Sequence, residues 1–188
     1  EQPNQKGLAR LIEHVLFKGT DTTLQEGAFH KIVNKYGGVT NAFTSFDSTV
    51  YYVALDSTNW QPIVKLYADC MQNSAMNEQH LASELKVVIK ELRRNDDNPM
   101  WIWFQKMFKT SLPSHHPHYS CLIGDRQDLA ALTAENLKKF FKTYYHPDVA
   151  TLFVVGDINP EDALTRASAE MAHIPSGNVV LTDRSSEV

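Results

Sequence analysis

The sequence predicts an α+β domain in which helices pack on a mainly antiparallel sheet. Three observations support this prediction. Most apolar residues recur at helical spacing, two neighbouring β-rich segments are separated by a short turn, and one more short apolar strand lies near the end of the chain. The 188 residues suit one domain with its own core. We expect that domain over residues 1–178, with a linker or tail over residues 179–188.

The first half of the chain predicts three helices and a hairpin. Leu8, Leu11 and Val15 fall at helical spacing, and Gly37-Gly38 is the strongest break that follows. Two segments rich in β-branched and aromatic residues then flank Asp47-Ser48, which indicates a tight turn. The predicted elements are helix 8–17, helix 24–36, strand 39–46, strand 49–55 and helix 57–74.

The second half predicts mostly helices. Asn77 is a typical N-cap, and Pro99 fits the first turn of the helix after the next break. The predicted elements are helix 78–94, helix 99–109, a loop over 111–125, helix 133–145, strand 149–155 and helix 160–173. Three strands make a thin sheet for so many helices, so we expect further sheet partners outside these residues.

Composition excludes several classes of protein. The net charge is −4 and no block of Lys and Arg occurs, which argues against a nucleic-acid or anionic-membrane surface. No apolar run approaches the roughly 20 residues that cross a bilayer, so we expect a soluble protein. Cys70 and Cys121 do not make a disulfide framework. The chain begins at Glu1 without a signal-like segment, which indicates a processed or excised sequence.

The first predicted helix carries a polar face. Arg10, Glu13 and His14 stand at i, i+3 and i+4, so they share one side, opposite the apolar stripe. Such a trio on an amphipathic helix is most often its solvated face. The trio alone therefore does not establish a site.

The helix over 78–94 adds two carboxylates at a matching spacing. Glu84 and Glu91 are two turns apart on one side, away from the apolar residues of that helix. Together with Glu13 and His14 they could converge between two helices. Imidazole nitrogens and carboxylate oxygens can bind zinc, while a further carboxylate takes a proton from the attacking water.

The stretch Gly-Leu-Ala-Arg-Leu-Ile-Glu-His-Val-Leu-Phe-Lys-Gly-Thr, residues 7–20, resembles the inverted zinc motif of the M16 metallopeptidases. That family includes pitrilysin, insulin-degrading enzyme and the mitochondrial processing peptidases. Its motif is H-x-x-E-H, in which both histidines bind zinc and the glutamate is the general base. The resemblance implies that His14 is a zinc ligand and that Glu13 is the base of an active member. Arg10 stands where the other histidine is expected.

The resemblance extends along most of the chain. The family's third ligand is a glutamate that follows roughly 70–80 residues later, and Glu91 lies 91 − 14 = 77 residues after His14. Glu84 matches a supporting carboxylate. Residues 37–44 are similar to the strand that holds substrate, which implies substrate-binding roles for Asn41, Ala42 and Phe43. Residues 132–145 and 150–157 resemble the domain's closing helix and strand.

This resemblance implies the M16 peptidase-like fold, also called the LuxS/MPP-like metallohydrolase fold, without its first strands. It also implies a second M16-type half, in the same longer chain or in a separate subunit, and unfolded or extended peptides as ligands. An exposed strand edge can bind such peptides without metal. The same edge could instead pair with the missing strands or face solvent.

Arg10 departs from the family pattern at a decisive position. A guanidinium has five donors and no acceptor lone pair, so it cannot ligate a cation. We therefore expect zinc to be absent or weakly bound, and Arg10 to pair with Glu13, Glu84 or Glu91. Alternatively, the Arg10 side chain is solvated and points away from these carboxylates.

The predicted function is an inactive M16-type peptidase domain that serves as a peptide-binding or chamber-forming half. Two alternatives remain open: an active zinc endopeptidase in which another residue replaces the missing ligand, and a structural assembly subunit. The bacterial periplasm or cytoplasm is the expected compartment, with the mitochondrial matrix as a further option. Trp60, Trp101 and Trp103 are expected to serve core and interface packing.

Overall fold

The computed structural model describes residues 5–22, 25–114, 116–119 and 121–177. It is an α+β arrangement in which eight helices accompany one two-stranded antiparallel sheet in the described residues. In chain order the elements are α1 (Leu8–Val15), α2 (Ala28–Lys35), β1 (Val39–Thr44), β2 (Thr49–Ala54), α3 (Gln61–Asn73), α4 (Glu78–Asp96), α5 (Pro99–Ser111), α6 (Arg126–Ala131), α7 (Ala134–Tyr144) and α8 (Pro160–Met171), with single 3₁₀ turns at Pro117–Tyr119 and Pro147–Val149.

Helix α1 lies at the centre of the fold. Leu11, Ile12 and Val15 are fully buried, and the helix contacts α4, α7, β1 and β2. Its start requires Gly7, which has a φ of 89° and whose added Cβ would lie 2.4 Å from the carbonyl oxygen of Ile123. Because neighbours cover α1 on several sides, its polar face lies inside the domain instead of in open solvent.

Helix α4 is the longest described element, with 19 residues, and packs against α1. The side chain of Asn77 accepts a 2.9 Å hydrogen bond from the backbone N–H of His80, which confirms the predicted cap. Leu81, Val88 and Leu92 are buried on its inner side. Helix α4 therefore holds Glu84 and Glu91 at fixed positions along α1.

The hairpin forms as predicted, but its turn lies earlier than expected. Ser45 N–H donates to the carbonyl oxygen of Ser48 at 2.8 Å, so residues 46–47 form the tip. The register pairs Val39 with Ala54 and Thr44 with Thr49. The predicted extension of the first strand to Phe46 is therefore wrong, because that residue belongs to the turn.

The predicted strand over 149–155 is also wrong for the structure as described. Residues 151–155 pair with no strand among the described residues, and Phe153 and Val155 are 81% and 93% exposed. A strand needs a neighbour for its backbone N–H and C=O groups, and β1 and β2 pair only with each other here. Its apolar, β-branched composition alone cannot supply that neighbour.

Other sequence predictions concern the segments between these elements. Helix α6 was not predicted, since its six residues are too few to show a clear period. Helix α2 begins at Ala28, and residues 23–24 and the predicted tail 179–188 lie outside the described residues. Both cysteines are free thiols. Within the described ranges, no helix combines the length and apolar character needed to cross a membrane.

Candidate metal centre

The polar residues of α1 meet α4 through Arg10. Its Nη1 lies 2.6 Å from both carboxylate oxygens of Glu13, one turn along the same helix. Its Nη2 lies 2.8 and 3.0 Å from the two oxygens of Glu91 on α4. One guanidinium therefore joins two carboxylates on different helices. Burial lowers the pKa of Arg10, but the hydrogen bonds to both glutamates outweigh it and raise that pKa overall.

Glu13 is buried, with 7% of its surface exposed. A carboxylate at this depth needs partners, because its charge would otherwise be costly to remove from water. Arg10 supplies two hydrogen bonds, and the hydroxyl of Thr44 at the end of β1 donates a third to Oε2. The predicted general base is thus held between α1 and the sheet.

His14 lies between the two carboxylates of α4. Its Nδ1 is 3.2 Å from Glu84 Oε2, within hydrogen-bond reach, while its Nε2 is 3.6 Å from Glu91 Oε2. That Nε2 is buried and has no hydrogen-bond partner among the described residues. The imidazole of His14 lowers the pKa of Glu91, and Arg10 lowers it further, against the burial that raises it.

Lys18 is a member of this cluster that the sequence analysis did not identify. Its Nζ lies 2.7 Å from Glu84 Oε1 and 3.0 Å from Glu26 Oε1. The hydrogen bond to Glu84 is the largest contribution that raises the pKa of Lys18. The sequence feature that could have identified Lys18 is its spacing, because residues 10, 14 and 18 follow each other at intervals of four and therefore share one side of a helix.

The predicted substrate strand borders the same site. A cleft of about 420 Å³ lies between α1 and β1, and its lining includes Arg10, His14, Asn41 and Ala42. Phe43 is half exposed and is not part of that lining. The structure therefore brings two of the three predicted strand residues to the cleft.

These residues do not fit a catalytic zinc site. Such a site uses three protein ligands and an open position, and the unpartnered His14 Nε2 and the Glu91 carboxylate would supply two. Arg10 stands at the third position without a lone pair and holds both oxygens of Glu91. Within the described ranges, no group of three or more His, Cys, Asp or Glu side chains is arranged to hold a metal ion.

Comparison with known proteins gives matches along nearly the whole sequence. Residues 1–118 match the family described as insulinase (peptidase family M16), and residues 131–187 match the peptidase M16 inactive domain. The zinc protease PqqE of Helicobacter pylori is 36% identical over 162 residues, which cover 86% of this chain and 36% of that protein.

Solved structures share the fold. A protease from Helicobacter pylori matches with a TM-score of 0.90 and 31% identity, over 96% of this chain and 43% of that one. The first half of the periplasmic protease PqqL from Escherichia coli matches with a TM-score of 0.84 and 24% identity, over 98% of this chain and 40% of that one. The chain thus spans about two fifths of the two Helicobacter pylori proteins and of the first half of PqqL, and about a fifth of the whole of PqqL. On the evidence of the two sequence-family matches and the shared fold, the chain belongs to peptidase family M16.

Proposed function

We propose that this domain is a catalytically inactive M16 half in which an arginine salt bridge takes the place of the zinc ion. The observation that carries the proposal is that Arg10 binds two carboxylates at once, Glu13 through Nη1 and Glu91 through Nη2. Hydrogen bonds between a guanidinium and a carboxylate are charge-assisted and are among the strongest that side chains form. In this proposal His14 and Glu91 are residual ligands, Glu84 is a supporting carboxylate, and Glu13 is a base without a metal-bound water.

Zinc binding would have to break this arrangement. Glu91 would exchange a guanidinium for the metal, and Arg10 would remain a few ångströms from a dication. At an effective dielectric constant of about 20, that repulsion amounts to several kcal/mol. Zinc is the metal expected from the names of the relatives, but the Arg10 charge argues that it is absent or weakly bound here.

The direct test is peptide cleavage by the complete wild-type protein. A quenched fluorescent peptide is incubated with equimolar zinc and with the protein's natural second half. We expect no cleavage above that of a Glu13→Gln variant, because neither protein presents a metal-bound water. Cleavage that zinc stimulates and that Glu13→Gln abolishes would instead establish the active-endopeptidase alternative.

We further propose that the half retains peptide binding along β1. Ser45 and Ser48 form a hydrogen-bonded pair next to the turn, and bonded and non-bonded pairs alternate along an antiparallel ladder. Ala42, three residues from Ser45, is therefore in a non-bonded pair and directs its N–H and C=O away from β2. The Ala42 N–H donates to Asn41 Oδ1 at 2.9 Å. A carbonyl oxygen of a bound peptide would take the place of Asn41 Oδ1 as the acceptor.

Proline substitutions at Ala42 and Phe43 separate the outward-facing backbone groups of β1 from those that pair with β2. Ala42→Pro removes an N–H that β2 does not use, so we expect the fold to remain and peptide binding to weaken by about tenfold or more. Affinity is measured by the fluorescence anisotropy of a labelled, unstructured peptide. The matched control is Phe43→Pro, which removes a ladder bond and should lower thermal stability, whereas Ala42→Pro should weaken binding without that loss of stability.

Unchanged peptide affinity in a folded Ala42→Pro variant would contradict binding at this edge. That result would favour the alternative of a structural assembly subunit, because such a role does not require an open strand edge. Loss of folding in Ala42→Pro would show that the register assigned to the hairpin is wrong. Phe43 itself is proposed to contact peptide side chains from the exposed side of β1.

The coverage of the relatives supports a two-half assembly. Each of these matched chains is more than twice as long as this one, and even the first half of PqqL extends well beyond the region that this chain matches. We propose residues 1–178 as the M16-type domain and a second M16-type half as its partner, fused or separate. The same relative favours the bacterial periplasm as the compartment. In this arrangement the two halves enclose a chamber around the cleft.

A further inference from the structure

Helix α5 presents an apolar stripe to solvent. Met100, Trp103, Phe104 and Met107 stand at i, i+3, i+4 and i+7, so they form one continuous face over two turns. All four are exposed, with Met100 at 70% and Trp103 at 58%. No residue of α5 is buried. The predicted core packing is therefore wrong for Trp103, and its predicted interface packing stays a prediction.

An adjacent side of α5 holds the helix against the domain. The Phe108 ring lies 5.2 Å from that of Phe46, at the tip of the β1–β2 hairpin. The Gln105 amide donates to Cys121 Sγ at 3.5 Å. Asn98 caps the helix by accepting the Met100 N–H at 3.0 Å. The stripe is thus presented by an anchored helix beside the hairpin whose first strand borders the cleft.

Positive charge accompanies the stripe. Helix α5 contains no Asp or Glu, and Lys106 is exposed beside the stripe, whereas Lys109 lies on the other side of the helix, near Cys121. Lys106 follows Trp103 by one turn and therefore lies along the flank of the stripe. A complementary surface would combine an apolar centre with carboxylates at its margin.

We propose that the α5 stripe is the docking surface for the second M16-type half, which covers it with an apolar helix face bordered by Asp or Glu. This inference rests on the proposed function, which includes that partner. The relatives supply the occupant, because about three fifths of their length lies outside the region that this chain matches. Docking here would place the partner beside the cleft.

Two other occupants fit the surface less well. Two copies of the chain meeting symmetrically through this stripe would bring Lys106 towards Lys106 of the other copy, and α5 carries no acidic residue that would offset this repulsion. An extended peptide binds through free backbone groups at a strand edge, and the backbone groups within a helix are already bonded. The charge pattern therefore favours a separate acidic, apolar surface.

Site-specific photo-crosslinking in the complete protein tests the proposal. A photoreactive phenylalanine analogue replaces Met100, and a control protein carries it at Leu164 on α8, which is equally exposed at 71%. We expect crosslinked peptides from an M16-type second half at Met100 and not at Leu164. Mass spectrometry identifies the peptides. No crosslink from Met100 above that from Leu164, or a crosslink mainly to a second copy of the chain, would overturn the proposal.

A charge reversal at the edge of the stripe tests for an acidic partner with the same crosslinking measurement. Lys106→Glu should lower the Met100 crosslink yield by about fivefold or more. The control, Lys138→Glu, makes the same charge change on an exposed residue of α7 and should leave the yield within about twofold. Equal yields in the two variants would contradict an acidic partner. Neither measurement depends on zinc or cleavage, so it can fail while the inactive site stands.

Discussion

Replacing Arg10 with methionine is expected to destabilise the folded chain by about 2–4 kcal/mol, because two partly or fully buried carboxylates lose their shared cation. Glu13 and Glu91 would then repel each other across the gap between α1 and α4. The midpoint of urea unfolding, with an unchanged slope, measures this change. The control is Arg166→Met, which removes an exposed 3.4 Å pair with Glu170 and should cost no more than about 0.5 kcal/mol.

A second substitution separates the ion pair from packing. If the cost arises from the unpaired carboxylates, Arg10→Met combined with Glu91→Gln should recover part of it, with a coupling energy above about 1 kcal/mol. Methionine keeps most of the apolar volume of the arginine stem, so lost packing contributes little. A cost for Arg10→Met no larger than that of Arg166→Met would mean that Arg10 is a solvated side chain.

Arg10→His is expected to restore metal binding, with zinc affinity at least about 100-fold above that of the wild type. The change removes a positive charge and supplies a third ligand beside His14 and Glu91, both of which already lie at the site. A competing chromophoric chelator measures the affinity. Arg10→Gln is the matched control, since it removes the cation and adds no imidazole, and we expect it to gain far less.

The comparison of Arg10→His with Arg10→Gln shows which part of the metal site is still missing. No gain in Arg10→His over Arg10→Gln would mean that His14 and Glu91 are not positioned to ligate zinc. Metal binding without cleavage would place the remaining requirement elsewhere, either in the orientation of Glu13 or in the second half. Thr44, which donates to Glu13, is the first residue to inspect in that case.

The main features of the site could be predicted from the sequence because helix geometry fixes them. The spacing of Arg10, Glu13 and His14 puts them on one face, and the two-turn interval from Glu84 to Glu91 does the same on α4. The sequence could not predict which carboxylates Arg10 binds, because that depends on side-chain rotamers and on the angle at which the helices cross. In the structure it binds Glu13 and Glu91, whereas Glu84 pairs with His14 and Lys18.

The fold was less predictable where contacts are distant in sequence. The hairpin is local, and its composition and turn sufficed to identify it. The predicted strand over 149–155 failed because pairing depends on a neighbour that composition does not reveal. The Thr44 contact to Glu13 was missed for a related reason, as it joins residues 31 positions apart on different elements.

The zinc content of the complete wild-type protein is the most direct test of an arginine bridge in place of metal. The protein is dialysed against equimolar zinc and then against metal-free buffer, and elemental analysis gives zinc per chain. We predict a content close to zero, indistinguishable from that of Glu91→Gln. About one retained zinc per chain, lost in Glu91→Gln, would show a working metal site and contradict the account.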